Sequence, residues 1–472
     1  MKKSIAMLLA LVMVLSMAAC GASEPEAPET PTKVENPTES NTPTAPQEEA
    51  DPLTGWIFEE DTSISGTVRF WIPFKGTQGM DAMIAEFNQS YPNITVELNT
   101  YSNNADGNIA LNTSIMAGEC DVVASFEIHN LMNRLENGLY QDLTDKVASE
   151  GIDLLANWGT EAYNYKDKVY VLPCGGLSHY VAINMDAWNA VGLGELPTEW
   201  TWDEYIEASR KMTEYNEDGT VAVYGGSNTH TQSDLLDFRY QVYGCNRYYT
   251  ADGNCAFDED LVKSQIQKYL AAEEEGIWYK LSTYRSDNYK SWYAYTDGLV
   301  NSTIALNIPR FIIDPDKNIN FVTGFAPYPV VEKGQTNYHS GVNYFSFAGI
   351  TQGCQDEEAA WAFLKWYSTY GSKYLVVAGH QSTWIGTDPA GAVDLIFGSE
   401  EAATKLIDLE SFKRVVGNTE NPNAYDSMSY AYSKLTDIWT EFVTYIYTGE
   451  MTVDDALAQA AQLGNAAIAD AK

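Results

Sequence analysis

The chain has 472 residues, of which 45% are hydrophobic, so it is long enough to bury the cores of two domains of ordinary size. Its 65 acidic residues outnumber 28 basic ones, which gives a formal net charge of −37. This charge repels polyanions and therefore argues against nucleic acid, or an anionic membrane surface, as the binding partner.

The first twenty residues have the pattern of a secretory signal. Lys2 and Lys3 precede an apolar run, residues 5–15, that is too short to span a bilayer. Residues 15–21, LSMAACG, are similar to a bacterial lipobox with Cys20 as the lipidated residue, although Met17 stands where that motif usually has Leu, Val or Ile. We expect residues 1–20 to be a lipoprotein signal; plain cleavage after small residues is the alternative.

The next segment, residues 21–64, is predicted to be a flexible acidic tether. Between residues 24 and 51 it consists almost entirely of Pro, Thr, Glu, Ala, Asn and Ser, with too little apolar surface to offset the entropy of ordering. A spacer of this kind holds a globular body clear of a membrane.

The body begins with alternating strands and helices. Residues 67–72 and 94–98 are typical of strands, and Met80, Met83 and Phe87 form one apolar stripe of a helix between them. A helix over residues 112–117 and a strand over residues 121–124 continue the series. This βαβαβ order predicts a mainly parallel sheet, which binds ligands at the carboxyl ends of its strands.

Further along, Pro173 is predicted to end a strand, and residues 174–176, Cys-Gly-Gly, to form a hinge before a strand at residues 181–184. Thr201 and Glu204 form a capping box that starts a helix. Later segments with helical or strand patterns are helices over 261–275, 356–370 and 452–470 and strands over 303–306 and 344–348.

Cysteines and histidines give no sign of a metal or a cofactor. Cys120, Cys174, Cys245, Cys255 and Cys354 lack CxxC spacing, and the five histidines lack metal-binding spacing. A local bridge between Cys245 and Cys255 stays open. Hydrolase, zinc-protease, phosphate-loop and dinucleotide motifs are absent from the sequence, but a glycosidase needs only two carboxylates, so a secreted carbohydrate-active hydrolase is the alternative function.

An ordered series of landmarks resembles a known family. They include residues 91–96 (YPNITV), 117–123 (AGECDVV), 168–173 (KVYVLP), 197–204 (PTEWTWDE) and 359–364 (AAWAFL). In this order they resemble the extracellular solute-binding proteins of bacterial ABC transporters, of the maltose and multiple-sugar type. The likeness runs from about residue 65 to the C-terminus and is weakest between residues 225 and 292.

The resemblance implies an α/β, two-lobed, type II periplasmic-binding-protein-like fold with ligand in the cleft between lobes joined by a hinge. It places lobe 1 at residues 65–174 and 345–390 and lobe 2 at residues 175–344 and 391–472. It further implies a monomeric, non-enzymatic binder of carbohydrate, an oligosaccharide above all, on the extracellular face of the membrane of a Gram-positive type of cell. Its partners are ABC permease subunits, and a non-sugar solute such as a sugar phosphate is the alternative ligand.

The same landmarks give candidate ligand contacts, each with a packing role as its alternative. Aromatic faces suit the C–H surface of a sugar, and charged or polar side chains suit its hydroxyls. The candidates are Trp71, Phe74, Lys75, Thr77, Ser125, Glu127, Ser178, His179, Arg310, Asn343, Tyr344, Trp384, Tyr430 and Tyr432.

Overall fold

The computed structural model describes residues 56, 58–73, 79–126, 128–159, 164–317, 319–338, 346–388, 391–418, 421–422, 424, 426, 428 and 430–472. Expectations that fall outside the described residues are the signal with Cys20, the tether up to residue 55, and six of the candidate contacts. Those six are Phe74, Lys75, Thr77, Glu127, Asn343 and Tyr344.

Thirteen strands occur in the described residues. They are β1 (Gly66–Ile72), β2 (Ile94–Thr100), β3 (Val122–Phe126), β4 (Asn164–Tyr165), β5 (Lys168–Val169), β6 (Leu172–Gly176), β7 (Tyr180–Asn184), β8 (Glu214–Tyr215), β9 (Val221–Val223), β10 (Ser302–Ala305), β11 (Thr323–Pro327), β12 (Ser346–Ile350) and β13 (Gln381–Ser382).

The helices of the described residues surround these strands. They are α1 (Met80–Ser90), α2 (Ala105–Met116), α3 (Ile128–Glu136), α4 (Thr144–Ser149), α5 (Leu154–Trp158), α6 (Met185–Ala190), α7 (Trp202–Met212), α8 (Phe238–Tyr243), α9 (Asp260–Glu274), α10 (Leu281–Ser286), α11 (Ser291–Thr296), α12 (Ile308–Ile312), α13 (Glu357–Ser368), α14 (Gly391–Phe397), α15 (Glu400–Ala403), α16 (Leu409–Val415), α17 (Tyr432–Tyr447) and α18 (Val453–Ala471), with 3₁₀ helices at Gln232–Leu236 and Tyr370–Ala378.

The local signals read from the sequence are confirmed where the pattern is strongest. The apolar stripe of α1 buries Met80, Met83 and Phe87. At the start of α7 the Thr201 side chain accepts from the backbone N–H of Glu204, and the Glu204 carboxylate accepts from the backbone N–H of Thr201. This reciprocal capping box satisfies two backbone donors and fixes the helix start.

The larger sheet has six strands in the order β13-β6-β12-β3-β1-β2. Strand β1 pairs in parallel with β2 and β3, whereas β12 is antiparallel to both β3 and β6, and β13 is antiparallel to β6. Strands β6, β3, β1 and β2 therefore run in one direction, as the βαβαβ series predicts, with β12 inserted against them.

The smaller sheet has three strands in the order β10-β7-β11, and both pairs are antiparallel. The mainly parallel arrangement is thus a property of the larger sheet alone. Segment 406–411 packs along β11: the backbone N–H of Thr323 donates to the carbonyl of Leu406, and that of Phe325 donates to Ser411 Oγ.

Residues 174–176 differ from their expectation as a flexible hinge after Pro173. They lie inside β6, whose five residues are all buried and which pairs with β12 on one side and β13 on the other. The chain passes to the smaller sheet through residues 177–179, and it returns to the larger sheet between β11 and β12.

Two groups of buried apolar side chains form the interior of the described residues. One extends from the larger sheet to the helices packed around Trp202 and Trp439, and the other surrounds Tyr180 and Phe325 of the smaller sheet. Cys245 and Cys255 are free thiols, so the bridge left open by the sequence is not formed. Among the described residues, no helix has the length and apolar composition needed to span a bilayer.

Candidate functional site at the junction of the two sheets

The chain crosses from the larger sheet to the smaller one at residues 177–179, between β6 and β7. In the larger sheet the register sets Ser346 level with Phe126 and Gly175, at the carboxyl ends of β3 and β6. In the smaller sheet Tyr180, the first residue of β7, is level with the last residues of β10 and β11. The loops that leave these ends converge on one region, which we call the sheet junction, and loops at the carboxyl ends of strands are where α/β proteins bind ligands.

One side of the sheet junction holds a buried ionic group, the Arg247 cluster. Arg247 Nη1 donates to Asp237 Oδ1 at 2.6 Å, and His179 Nδ1 lies 3.2 Å from Asp237 Oδ2. Asp426 joins the cluster because its carboxylate accepts from the backbone N–H of Arg247 at 3.0 Å and from the Tyr240 hydroxyl at 2.8 Å.

Aromatic rings enclose this cluster. The Arg247 guanidinium carbon lies 4.9 Å from the centroid of the Tyr248 ring, and the Tyr248 ring lies 4.9 Å from that of Tyr432. The His179 ring lies 5.5 Å from the ring of Tyr328, which directly follows β11. The enclosure keeps the charges away from water, which strengthens each interaction among them.

The surroundings of the carboxylates oppose their ionisation. Burial raises the pKa of Asp237 to about 8; the carboxylates of Asp234 and Asp426 act in the same direction, and Arg247 acts against it. Burial also raises the pKa of Asp234. His179, Asp234 and Asp237 are, within the described part of the chain, the group of side chains with the spacing to hold a metal ion.

The other side of the sheet junction is an aromatic wall formed by His230, Trp292, Phe311 and Arg310. Trp292 stacks on Phe311 with centroids 5.3 Å apart and an interplanar angle of 11°, and the His230 ring meets Trp292 edge-on at 4.5 Å. His230 Nδ1 lies 3.0 Å from Ser291 Oγ. The Arg310 guanidinium lies over Phe311, 4.9 Å from its centroid.

Arg310 is half-buried and forms no ion pair with the described residues. In the described part of the chain no carboxylate lies within ion-pair distance of its guanidinium, and burial lowers its pKa. Its charge acts on His380 of the larger sheet, whose pKa is lowered to about 3, first by burial and then by Arg310. His380 Nδ1 in turn lies 2.9 Å from Ser346 Oγ, and its ring lies 4.4 Å from that of Phe126.

A close backbone approach joins the segment before β13 of the larger sheet to the segment before α12. Gly379 follows the 3₁₀ helix Tyr370–Ala378 and has a φ of +89°. A Cβ atom at this position would lie 2.4 Å from Cβ of Asn307, the residue that precedes α12. Only glycine combines this backbone conformation with this approach.

Comparison with known proteins places the chain in a family. The family model described as bacterial extracellular solute-binding protein matches residues 74–374, more than half of the chain. The chain belongs to the bacterial extracellular solute-binding proteins. No curated protein matches the sequence.

Solved structures of low sequence identity share the fold. A sugar transporter from Rhizobium etli in an open conformation is 16% identical, with a TM-score of 0.65, and covers 86% of this chain and 100% of its own. An ABC substrate-binding protein from Listeria monocytogenes in complex with cycloalternan is 15% identical, with a TM-score of 0.66 and the same coverage. A solute-binding protein from Thermotoga lettingae bound with α-D-tagatose is 18% identical, with a TM-score of 0.64 and the same coverage. This confirms the α/β, two-lobed fold class.

Four of the candidate contacts of this solute-binding protein lie at the sheet junction. Ser178 and His179 are buried in the crossing segment, Arg310 belongs to the aromatic wall, and Tyr432 is buried beside Tyr248 of the Arg247 cluster. Ser125 is the last residue but one of β3, and its hydroxyl is already hydrogen-bonded within the protein. Its Oγ lies 2.6 Å from the Tyr140 hydroxyl and accepts from Arg134 Nη1 at 2.7 Å.

Three candidates lie elsewhere in the solute-binding protein. The Trp71 indole N–H points back to the carbonyl of Glu119 at 3.4 Å, before β3 begins. Trp384 is buried against Tyr370, with ring centroids 5.1 Å apart. Tyr430 is half exposed, and Lys472 Nζ lies 5.7 Å from its ring. Trp384 is therefore packed in the interior, whereas Trp71 and Tyr430 are partly exposed.

The sequence interpretation missed the residues that dominate the junction: Asp237, Arg247, Asp426, His230 and, left undecided, Trp292. They are scattered over nearly two hundred residues, and all but Asp426 fall within residues 225–292, where the family landmarks are weakest. One signal was available, because Arg247 is one of few basic residues and stands directly before two tyrosines, in a segment without neighbouring charges.

Proposed function

We propose that this chain is the lipid-anchored, carbohydrate-binding subunit of an ABC importer and that it captures its ligand at the sheet junction. In this proposal the lobes comprise residues 65–174 with 345–390 and residues 175–344 with 391–472, and they close around the ligand. Closure follows from preferential binding of the ligand to the closed state.

The observation that carries the proposal is the position of Arg310. Arg310 is half-buried, has no carboxylate within ion-pair distance among the described residues, and places its guanidinium over the ring of Phe311. Burial lowers the pKa of Arg310, and the charge of Asp314 only partly offsets this. A desolvated, unpaired charge costs free energy in the absence of a ligand. Ligand hydroxyls or an anionic group would supply the missing acceptors.

The neighbouring aromatic rings favour a carbohydrate. Phe311 is buried between Trp292 and Arg310, so Trp292, which is only partly buried, is the ring that would take the C–H surface of a sugar. The Trp292 indole N–H is buried without an acceptor in the described residues. Two similar structures contain ligands of different size, cycloalternan and α-D-tagatose. The length of the carbohydrate that this chain binds therefore stays open.

Titration calorimetry of the full chain against a panel of mono- and oligosaccharides tests the proposal. Once a ligand is found, Arg310→Ala and Trp292→Ala should each weaken binding about tenfold to a hundredfold. Arg285→Ala, which removes an exposed arginine from α10, is the matched control and should bind like the wild type. Full affinity in both site variants, with native circular dichroism, would place the ligand elsewhere.

The unpaired charge of Arg310 supports a second candidate ligand, a sugar phosphate. A neutral sugar should bind with little salt dependence, whereas affinity for an anionic ligand should fall as salt is added. Calorimetry at low and high salt separates the two. Enzymatic turnover is tested on the same samples, since release of shorter sugars on incubation with oligosaccharides would support the hydrolase alternative.

Anchoring and delivery complete the proposal and rest on the sequence. Mass spectrometry of the mature N-terminus should find lipid on Cys20 in the wild type and none in Cys20→Ala. Deletion of the protein should abolish uptake of the ligand through its permease in cells that lack a second binding protein. An unlipidated wild-type N-terminus would show that the chain is released by plain cleavage.

A further inference from the structure

A compact set of metal-ligand atoms lies beside the sheet junction, where the sequence spacing predicts none. His179 in the crossing segment, Asp234 in the 3₁₀ helix Gln232–Leu236 and Asp237 directly after it each offer one ligand atom. All of these atoms lie within 4.8 Å of one another. The histidine and the aspartates are more than fifty residues apart, so the fold alone brings them together.

The spacing of the nearest pair suits a small divalent cation. His179 Nδ1 and Asp237 Oδ2 are 3.2 Å apart. Nitrogen and oxygen ligands lie about 2.0–2.2 Å from Zn²⁺ in a tetrahedral site, which sets them about 3.3–3.6 Å from each other. The ligand atom of Asp234 lies within 4.8 Å of the other two, and the Asp234 side chain would close up on the ion to complete one face of the tetrahedron.

Neighbouring side chains orient both carboxylates. Arg247 donates to Oδ1 of Asp237, whereas Oδ2 of Asp237 is buried and accepts no hydrogen bond from the described residues. For Asp234, Thr229 donates to Oδ2 at 3.1 Å and Ser233 to Oδ1 at 3.1 Å. Hydrogen bonds of this kind hold metal ligands in position in known metal sites.

The negative charge of the buried carboxylates also favours a bound cation. Asp234 and Asp237 are served by one guanidinium, that of Arg247, and burial makes an excess of negative charge costly. A dication bound to Asp234 and Asp237 would offset the negative charge of these carboxylates while Arg247 stays in place.

We propose that His179, Asp234 and Asp237 bind a divalent transition-metal cation such as Zn²⁺. Three protein ligands leave a fourth position for water or for a hydroxyl of a bound solute. The ion links the crossing segment to the 3₁₀ helix and so stabilises the sheet junction. The proposal does not depend on the identity of the transported solute.

Titration with the metal alone tests this proposal. Chelator-treated full-length protein should bind one Zn²⁺ saturably in calorimetry and should melt at a higher temperature with Zn²⁺, because an ion that binds only the folded state stabilises it. Mg²⁺ at equal concentration should have little effect, since it prefers oxygen ligands in an octahedral site. Asp234→Asn should weaken Zn²⁺ binding at least tenfold.

Asp186→Asn is the matched control, because it removes one negative charge from the exposed surface of α6. Asp237→Asn also breaks the pair with Arg247, so Asp234→Asn is the decisive variant if Asp237→Asn fails to fold. Bound Co²⁺ should give the strong visible absorption of a tetrahedral site. Absence of saturable Zn²⁺ binding to the wild type, or equal binding to Asp234→Asn and Asp186→Asn, would overturn the proposal.

Discussion

The guanidinium of Arg247 donates to the carboxylate of Asp237 at 2.6 Å, and the two side chains are only 11% and 1% exposed. Asp426 extends this pair by accepting from the backbone N–H of Arg247. Two segments that are distant in the sequence, residues 237–247 and the segment around Asp426, are thereby fixed to one another next to the crossing between the sheets. Because the charges are buried, the arrangement depends on every member being present.

Replacement of Arg247 by methionine should therefore destabilise the protein strongly. The substitution keeps much of the side-chain volume but leaves Asp237 without its guanidinium partner, and loss of one partner from a buried ion pair costs about 3–5 kcal/mol. Urea unfolding measures the change. Arg285→Met, at an exposed position, should alter the free energy of unfolding by less than about 0.5 kcal/mol. Equal effects of the two variants would contradict the structural role of Arg247.

Ser125→Ala should lower stability without affecting ligand affinity. The Ser125 hydroxyl is shared between Tyr140 and Arg134, and its removal leaves both with one partner fewer in a buried region, at a cost of about 1–3 kcal/mol. Thermal unfolding and calorimetry on the same sample separate the two effects. If Ser125→Ala instead loses much of its ligand affinity and keeps its stability, Ser125 contacts the ligand.

Much of the fold was predictable because local signals agree with tertiary structure. The stripe of α1, the capping box of α7 and the strands of the βαβαβ series are short-range patterns. Helix α2 was placed too late, since it begins at Ala105 and includes Gly107 in its first turn. A Cβ at Gly107 would lie 1.9 Å from the Ser102 carbonyl oxygen, so tertiary crowding selects a residue that weakens the helical pattern.

The site was less predictable because long-range pairing creates it. Arg310 and His179 were reached through the order of family landmarks. Asp237, Arg247 and Asp426 acquire their role only when residues 237–247 meet the distant segment around Asp426. Tyrosine is also frequent in this chain, with 31 residues, so aromatic character alone does not distinguish Tyr432 at the junction from Tyr430 at the surface.

Gly379→Ala should disturb the close contact between Gly379, before β13 of the larger sheet, and Asn307, before α12. A new Cβ would lie 2.4 Å from Cβ of Asn307, in addition to the strain of a φ of +89°. Gly398→Ala is the matched control, since Gly398 has a φ of +80° but no atom within 4 Å of the added Cβ. We expect Gly379→Ala to melt at a lower temperature than Gly398→Ala and to have the larger radius of gyration in solution scattering. Identical behaviour would show that the Asn307 contact contributes nothing beyond backbone strain.

The last prediction concerns acid sensitivity and rests on His230 and His380. Burial lowers the pKa of each imidazole to about 3; Lys290 and Arg285 add to this effect at His230, and Arg310 adds to it at His380. In the unfolded chain the pKa of histidine is about 6.5, so below that pH the unfolded chain binds more protons than the folded protein. The stability that the neutral imidazoles provide is therefore present above about pH 6.5 and is lost as the pH falls toward 3.

Between about pH 7 and about pH 5 each histidine should cost about 2 kcal/mol of stability. Asp237 and Glu273 act in the opposite direction, because burial raises the pKa of each carboxyl to about 8 and acidification then favours the folded state. The wild type must therefore be compared with a variant that carries both His230→Gln and His380→Gln, with urea unfolding of each protein at the two pH values. The double variant should lose about 4 kcal/mol less than the wild type on acidification, since glutamine does not titrate. Equal losses in the two proteins would mean that these imidazoles are not held neutral in the folded state.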